Sequence, residues 1–216
     1  IPNYRVGRLI DICRKLSLRW NDEFFNHLME TFHLPRDKRI GELSKGMRAE
    51  LNLSLAMAIE PELLILDDPT LGLDTVARRQ FLELAIELLQ KDGRTILFSS
   101  HILSDVERIA DRVGILMGGK LVVDCRLEEL KKRIKKLRLI FGEAAPRELH
   151  VTEVISQRLD GRELTVTVAN WNERKRAMLE VFKPSSCTEI PMSLEDIFIE
   201  CTRPGMEAVG EKREEM

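Results

Sequence analysis

Several features that would sort this 216-residue chain quickly into a class are missing from it. No apolar run approaches the ~20 residues that a membrane-spanning helix needs, and the first residues do not resemble a signal peptide. The four cysteines, Cys13, Cys125, Cys187 and Cys201, lie far apart and form no C-x-x-C pair. That spacing points to reduced, half-buried thiols in a cytoplasmic protein. Neither an internal repeat nor a low-complexity segment is present. A net charge of −2 provides no global attraction to nucleic acid. A phosphate-cradling G-x-x-x-x-G-K-[ST] loop is also missing. Gly41-Glu42-Leu43-Ser44-Lys45-Gly46 has the wrong spacing and no Lys-Ser or Lys-Thr after it.

What remains is ordinary for a globular protein, with 44% apolar and 32% charged residues. The length suffices for one sizeable core and a small appendage. Val6, Leu9, Ile10 and Cys13 share one helical face, and Phe25, Leu28, Met29 and Phe32 repeat the pattern until Pro35 breaks it. A third helix should start after Ser44 and end at Glu60-Pro61, with Met47, Leu51, Leu55, Ala58 and Ile59 as its buried stripe. Leu63-Leu64-Ile65-Leu66, closed by Asp67-Asp68-Pro69, reads as a buried strand. Asp74 is placed to cap a helix through about Gln90, with Gly93 at its exit. Arg94 to Ser99 should form a second strand, and Ser104 with Glu107 a capping box for a short helix. Val113 to Met117 and Leu121 to Val123, joined at Gly118-Gly119, complete the strands. Alternating strands and helices imply an α/β fold with a largely parallel sheet covered on both faces.

Beyond Asp124 the pattern changes. Glu128 to Arg138 reads as a Lys- and Arg-rich helix, best explained as a solvated face, with contact to lipid or a partner as the other reading. Leu149 to Val154 and Leu164 to Val168 read as strands paired around the turn Asp160-Gly161. Ser193 to Cys201 reads as a closing helix, followed by a charged, frayed tail. The expected division is a helical part over 1–60, an α/β part over 61–125, a small α+β extension over 126–204 and a disordered tail over 205–216.

The chemistry concentrates between Leu43 and His101. A buried strand ending in Asp67 delivers a carboxylate to the sheet's C-terminal edge, where ligands bind in open α/β sheets. A carboxylate there can hold Mg²⁺ beside nucleotide phosphates, although many plain strand ends look the same. Leu43-Ser44-Lys45-Gly46-Met47 precedes it, Asp68-Pro69-Thr70-Leu71-Gly72-Leu73-Asp74 follows without a gap, and His101 stands beyond the next strand. This ordered set resembles the ATP-binding-cassette (ABC) ATPases, over roughly residues 1–200. Ser44 to Met47 matches that family's signature loop, Asp67 the Walker B aspartate and Asp68 the catalytic carboxylate. Leu71 to Asp74 matches the D-loop and His101 the switch histidine. Ser44 and Gly46 fall at an expected helix N-terminus, which favours an anion. Ser44 and Asp74 also serve as plain helix caps, compatible with either role.

The resemblance implies a partial P-loop NTPase-type fold and ATP and Mg²⁺ as ligands. It further implies a second ATP-binding subunit, whose γ-phosphate Ser44, Lys45 and Gly46 would meet, and a transmembrane permease. The location it implies is cytoplasmic, on the inner face of the membrane. Two motifs depart from the pattern. Lys45 and Met47 replace Gly and Gln of the common signature, and Asp68 replaces Glu. The shorter Asp68 retracts its oxygens by roughly 1.5 Å, which can cost about 10²-fold in rate. Only about forty residues precede Leu43, and they match the family's helical subdomain, not its P-loop. The start at Ile1 fits processing or a fragment of a longer product. The expected function is that of an ABC exporter's ATP-hydrolysing subunit, inactive as this chain alone; the tail resembles extensions of bacterial exporters of drugs, peptides or lipids. The alternative is a non-catalytic module that lends its signature loop to a complete ATPase. A soluble ABC protein of translation or DNA repair fits less well, since no long coiled coil or second cassette is present.

Overall fold

Helix caps and alternating apolar residues account for most of the elements. The computed structural model describes residues 3–90, 93–147, 149 and 151–202. These fall into two compact units, Ile1–Asp105 and Val106–Met216.

In the first unit, α1 (Val6–Leu16) buries Val6 and Ile10. Helix α2 (Asp22–Thr31) starts at Asn21, whose side chain accepts a hydrogen bond from the Phe24 amide, and has Asp22 and Glu23 in its first turn. Both features suit the unsatisfied amides and positive end of a helix start. Helix α3 (Lys45–Ala58) starts at Ser44 in the same way, with the Met47 amide donating to the hydroxyl at 3.1 Å. The Asn21 amide donates to Ala58 O at 2.8 Å, and its side chain to Glu60 Oε1 at 3.0 Å, tying the start of α2 to the end of α3. The buried stripe of α3 runs through Leu51, Leu53, Ser54, Met57 and Ala58, rotated slightly from the expected one.

Strand β1 (Leu63–Leu66) pairs in parallel with β2 (Thr95–Phe98), Ile65 opposite Leu97. Helix α4 (Thr75–Leu89) connects them, starting at Asp74 and exiting at Gln90 as expected, and it buries Phe81, Ala85 and Leu88. Gly93 has a φ of +76°, a conformation glycine adopts without strain. Coverage of both sheet faces is not found. Leu64 is buried, whereas Leu63, Ile65 and Leu97 are 54%, 66% and 59% exposed. Helix α5 (Leu103–Ile109) starts one residue before Ser104, so the expected capping box does not form. Glu107 instead accepts from Lys131 Nζ and the Leu194 amide.

In the second unit, β3 (Arg112–Met117) and β4 (Lys120–Arg126) form an antiparallel hairpin. Gly118 and Gly119, at φ +53° and +78°, make its two-residue turn, which returns the chain antiparallel. The parallel part of the α/β fold is therefore two strands wide among the described residues.

The expected basic helix stops early: α6 spans Leu127–Arg133, and Lys135–Ile140 is strand β5. Leu137, Leu139 and Phe141 alternate at period two and are buried, which decides for a strand. Its cations are paired within the unit, Lys131 with Glu107, Lys135 with Glu189 and Arg138 with Glu163. The hairpin turn lies at Gly161 as expected, but its first strand, β6, is Val154–Asp160, not Leu149–Val154. Leu149 and Val151 are buried without joining a strand, and residue 150 lies outside the described residues. Strand β7 (Glu163–Val168), helix α7 (Glu173–Glu180), strand β8 (Ser186–Ile190) and helix α8 (Leu194–Cys201) follow. The antiparallel sheet runs β6-β7-β5-β8 over a core of Leu137, Leu139, Leu164, Val166, Val168 and Leu179. Ser193 caps α8 in a capping box with Asp196. The expected frayed tail, 205–216, lies outside the described residues. Among the described residues no helix is long and apolar enough to cross a membrane.

Lys175 of α7 is only 5% exposed. Its ammonium donates to Ala169 O at 2.6 Å and pairs with Glu153, which also accepts from Asn170 Nδ2. The hydrogen bond from Lys175, then that from Asn170, holds the Glu153 carboxyl below its ordinary range. A lowered carboxyl pKa stabilises the fold above the unfolded value, and the contribution is lost as pH falls through the folded one. Glu153→Gln is expected to cost about 2 kcal/mol at pH 7 in a urea melt. The difference from the parent chain should shrink as the pH falls through the lowered Glu153 value.

Candidate functional site

Two groups of residues named from the sequence are assembled in the first unit. The first lies at the carboxyl ends of β1 and β2. The Ser99 amide donates to Leu66 O at 3.0 Å, continuing the ladder one step past β2. Its hydroxyl then donates to Asp67 Oδ1 at 2.6 Å and accepts from the Asp68 amide at 2.9 Å. One serine thus fixes the carboxylate of one aspartate and the backbone of the next. Asp68 sits at φ +46°, a region L-residues other than Asn, Asp and His rarely adopt. Its Oδ2 lies 2.7 Å from His101 Nδ1. The other oxygen, Asp68 Oδ1, is enclosed and has no hydrogen-bond partner. The Asp67 and His101 side chains are exposed, and Asp68 is half-buried.

The second group surrounds the start of α3. Ser44 and Lys45 are exposed there, at the end where free amides and the helix dipole favour an anion. Gly46 lies against the loop after β1: a Cβ built on it would sit 3.4 Å from Gly72 O, an ordinary contact. That loop is tightly wound, with the Leu71 amide on Asp68 O at 3.0 Å and the Leu73 amide on Thr70 O at 3.2 Å. Gly72 takes a φ of +82°, and Thr70 is 4% exposed with its hydroxyl unpartnered. Asp74 closes the loop by capping α4, accepting from the Val76 and Ala77 amides at 2.9 Å each. Burial, and secondarily the charge of Asp74, raises the Glu50 carboxyl above its ordinary range.

Asp67, Asp68 and His101 are therefore gathered at one sheet edge, and Ser44, Lys45, Gly46 and Asp74 around one loop. The segment 68–74 belongs to both. Ser99 was not singled out from the sequence. Its only signal was position, at the end of a strand whose neighbour ends in Asp67. Among the described residues, no three His, Cys, Asp or Glu side chains are clustered to hold a metal by themselves.

No family model matches the chain. It is 33% identical over 198 residues to the ABC transporter ATP-binding protein YtrB of Bacillus subtilis (strain 168), covering 91% of this chain and 67% of that protein. It is 34% identical over 203 residues to the Nod factor export ATP-binding protein I of Neorhizobium galegae, covering 89% of this chain and 57% of that protein. A solved ATP-binding subunit of an ABC transporter superposes with a TM-score of 0.53 at 27% identity, over 61% of this chain and 57% of that one. The chain thus spans between about half and two thirds of the length of these relatives. The chain belongs to the ATP-binding proteins of ABC transporters.

Proposed function

We propose that this chain supplies the signature-loop and switch-histidine part of an ATP-hydrolysing subunit in an ABC exporter. The observation that carries the reading is the Asp67–Ser99–Asp68–His101 network at the end of the parallel strands. It places two carboxylates and an imidazole at the edge where ligands of open α/β sheets bind.

Each residue then has one task. Ser44, Lys45 and Gly46 present a helix N-terminus and a cation to the γ-phosphate of a nucleotide held on a second ATP-binding subunit. Asp74 fixes the loop beside them while capping α4. His101, held by Asp68, orients the terminal phosphate or the attacking water, and Asp68 accepts that water's proton. Asp68 is one methylene shorter than the family's usual Glu, and its contact with His101 keeps it at the histidine. The reading therefore includes slow hydrolysis. A transmembrane permease on the inner side of the membrane receives the resulting movement, as the family resemblance implies.

Mg²⁺ fits these residues as an ion that arrives with nucleotide. Asp67 offers a carboxylate of which Ser99 occupies only one oxygen, and Mg²⁺ is commonly held by one or two carboxylates with phosphate and water. Bound there, it would neutralise charge on the phosphates. The phosphate cradle itself has to come from outside the described residues.

Two measurements test the reading. Titration with a fluorescent ATP analogue should give this chain alone a Kd above about 1 mM, the ~4 kcal/mol scale of a site without its main anion cradle. Binding below about 10 µM by the chain alone would reveal a complete phosphate site and sink the composite reading. Gly46→Ala should leave the melting temperature unchanged or slightly raised, because a Cβ fits and alanine favours helix. The same change should weaken ATP-dependent association with a P-loop-bearing ABC subunit at least tenfold by crowding the phosphate. Unaltered association would remove the signature loop from the nucleotide site.

A further inference from the structure

Helix α1 carries two faces of different chemistry. Val6 and Ile10 are buried on one of them. At about 3.6 residues per turn, Arg8, Ile12, Lys15 and Leu16 fall within roughly 100° of arc on the side away from that pair, and all four are exposed. Ser17 ends the helix in an extended conformation, its amide and its hydroxyl both donating to Cys13 O, at 3.0 and 2.7 Å. These two bonds fix the turn, with Leu16 79% exposed and Leu18 fully exposed on either side of Ser17. A single exposed leucine needs no explanation, but Ile12, Leu16 and Leu18 together form a patch, and exposed apolar patches mark interaction sites.

The charges around the patch are nearly all of one sign. Residues 5–19 carry Arg5, Arg8, Arg14, Lys15 and Arg19 against Asp11 alone, in a chain whose net charge is −2. Arg14 is turned toward Asp22, which also accepts from Trp20 Nε1 at 3.1 Å. Lys15 and Arg19 are exposed, and no carboxylate among the described residues pairs with either. Arg8, Ile12, Lys15, Leu16, Leu18 and Arg19 are thus each apolar or cationic, and the one hydroxyl among them, that of Ser17, is taken up by Cys13 O. We infer that this face docks on an anionic lipid surface, its leucines entering the boundary between headgroups and acyl chains and its cations lying on the phosphates. Protruding leucines ringed by long cationic stems suit a fluid apolar layer beneath a charged one, where the stems lie along apolar surface and the charges stay in water. The Lys- and Arg-rich stretch near α6 is less suited, because Lys131, Lys135 and Arg138 pair with Glu107, Glu189 and Glu163. The lipid contact is separate from the nucleotide site and does not depend on the proposed ATPase role.

The test is co-sedimentation of the chain with vesicles of phosphatidylcholine and phosphatidylglycerol in equal parts, beside vesicles of phosphatidylcholine alone. The expected result is binding to the mixed vesicles at least tenfold tighter than to the neutral ones, weakening as salt is added. Leu16→Ser, Leu18→Ser should reduce that binding at least tenfold, and Lys15→Glu, Arg19→Glu should do the same, with circular dichroism unchanged in both. Leu18→Ser alone, at a fully exposed position, is the milder variant and should weaken binding in the same direction. In Leu18→Trp the added indole should shift its emission to shorter wavelength on the mixed vesicles, against the baseline of Trp20 and Trp171. Lys132→Glu, a charge change on α6, should leave binding unaltered. Absence of vesicle binding, equal binding to neutral vesicles, or binding that survives Leu16→Ser, Leu18→Ser would each overturn the inference. Loss in Lys132→Glu as large as in Lys15→Glu, Arg19→Glu would overturn it by assigning the contact to general charge. Self-association through this face, seen as a dimer lost in Leu16→Ser, Leu18→Ser while vesicles capture nothing, would assign the face to a protein contact and overturn it as well.

Discussion

The Ser99 hydroxyl ties the end of one paired strand to the two aspartates that follow the other. It donates to Asp67 at 2.6 Å and accepts from the Asp68 amide at 2.9 Å, while the Ser99 amide itself is bonded to Leu66 O. Everything placed at this edge depends on that junction. It aims Asp67 and bonds the backbone of Asp68, which stands in a left-handed conformation. It thereby delivers the Asp68 carboxylate to His101. From Asp68 onward the loop winds through Gly72, passes against Gly46 and ends as the cap of α4, so the start of α3 is referenced to the same strand end.

This arrangement sits on a sheet with only one covered face. Leu64 is buried, whereas Ile65 and Leu97 face solvent. A two-stranded parallel sheet buries too little to stand alone in general, and here α4 packs against β2. The second unit solves its own burial differently, by an antiparallel sheet with α7 and a buried Lys175 neutralised by Glu153.

Much of this was legible in the residues. Asp74 marks the start of α4 because a side-chain cap is a local requirement, and Gly93 takes the positive φ that glycine allows before β2. Gly118-Gly119 and Gly161 marked their turns for the same reason. The ordered motifs from Ser44 to His101 named the residues that the fold gathers into two groups. Other elements were hidden by composition. Strand β5 reads as a basic helix because Lys135, Lys136 and Arg138 mask the period-two sequence Leu137, Leu139, Phe141, and only the tertiary ladder with β7 and β8 decides. Strand β6 is polar at an edge, so the apolar Leu149 and Val151 drew the reading upstream of it. Ser99 could not be found by residue type, since a serine at a strand end is ordinary until the neighbouring strand is known to end in Asp67. The open sheet face was equally invisible, because an apolar strand predicts burial and not what does the burying.

The most direct test of the account is the hydrogen-exchange rate of the Asp68 amide in this chain and in Ser99→Ala. If the Ser99 hydroxyl sets the site, the rate should rise about tenfold in Ser99→Ala, corresponding to roughly 1.4 kcal/mol, and return toward the parent value in Ser99→Thr. Equal rates in Ser99→Ala and the parent chain would show that the strand end is fixed by something else and would contradict the account.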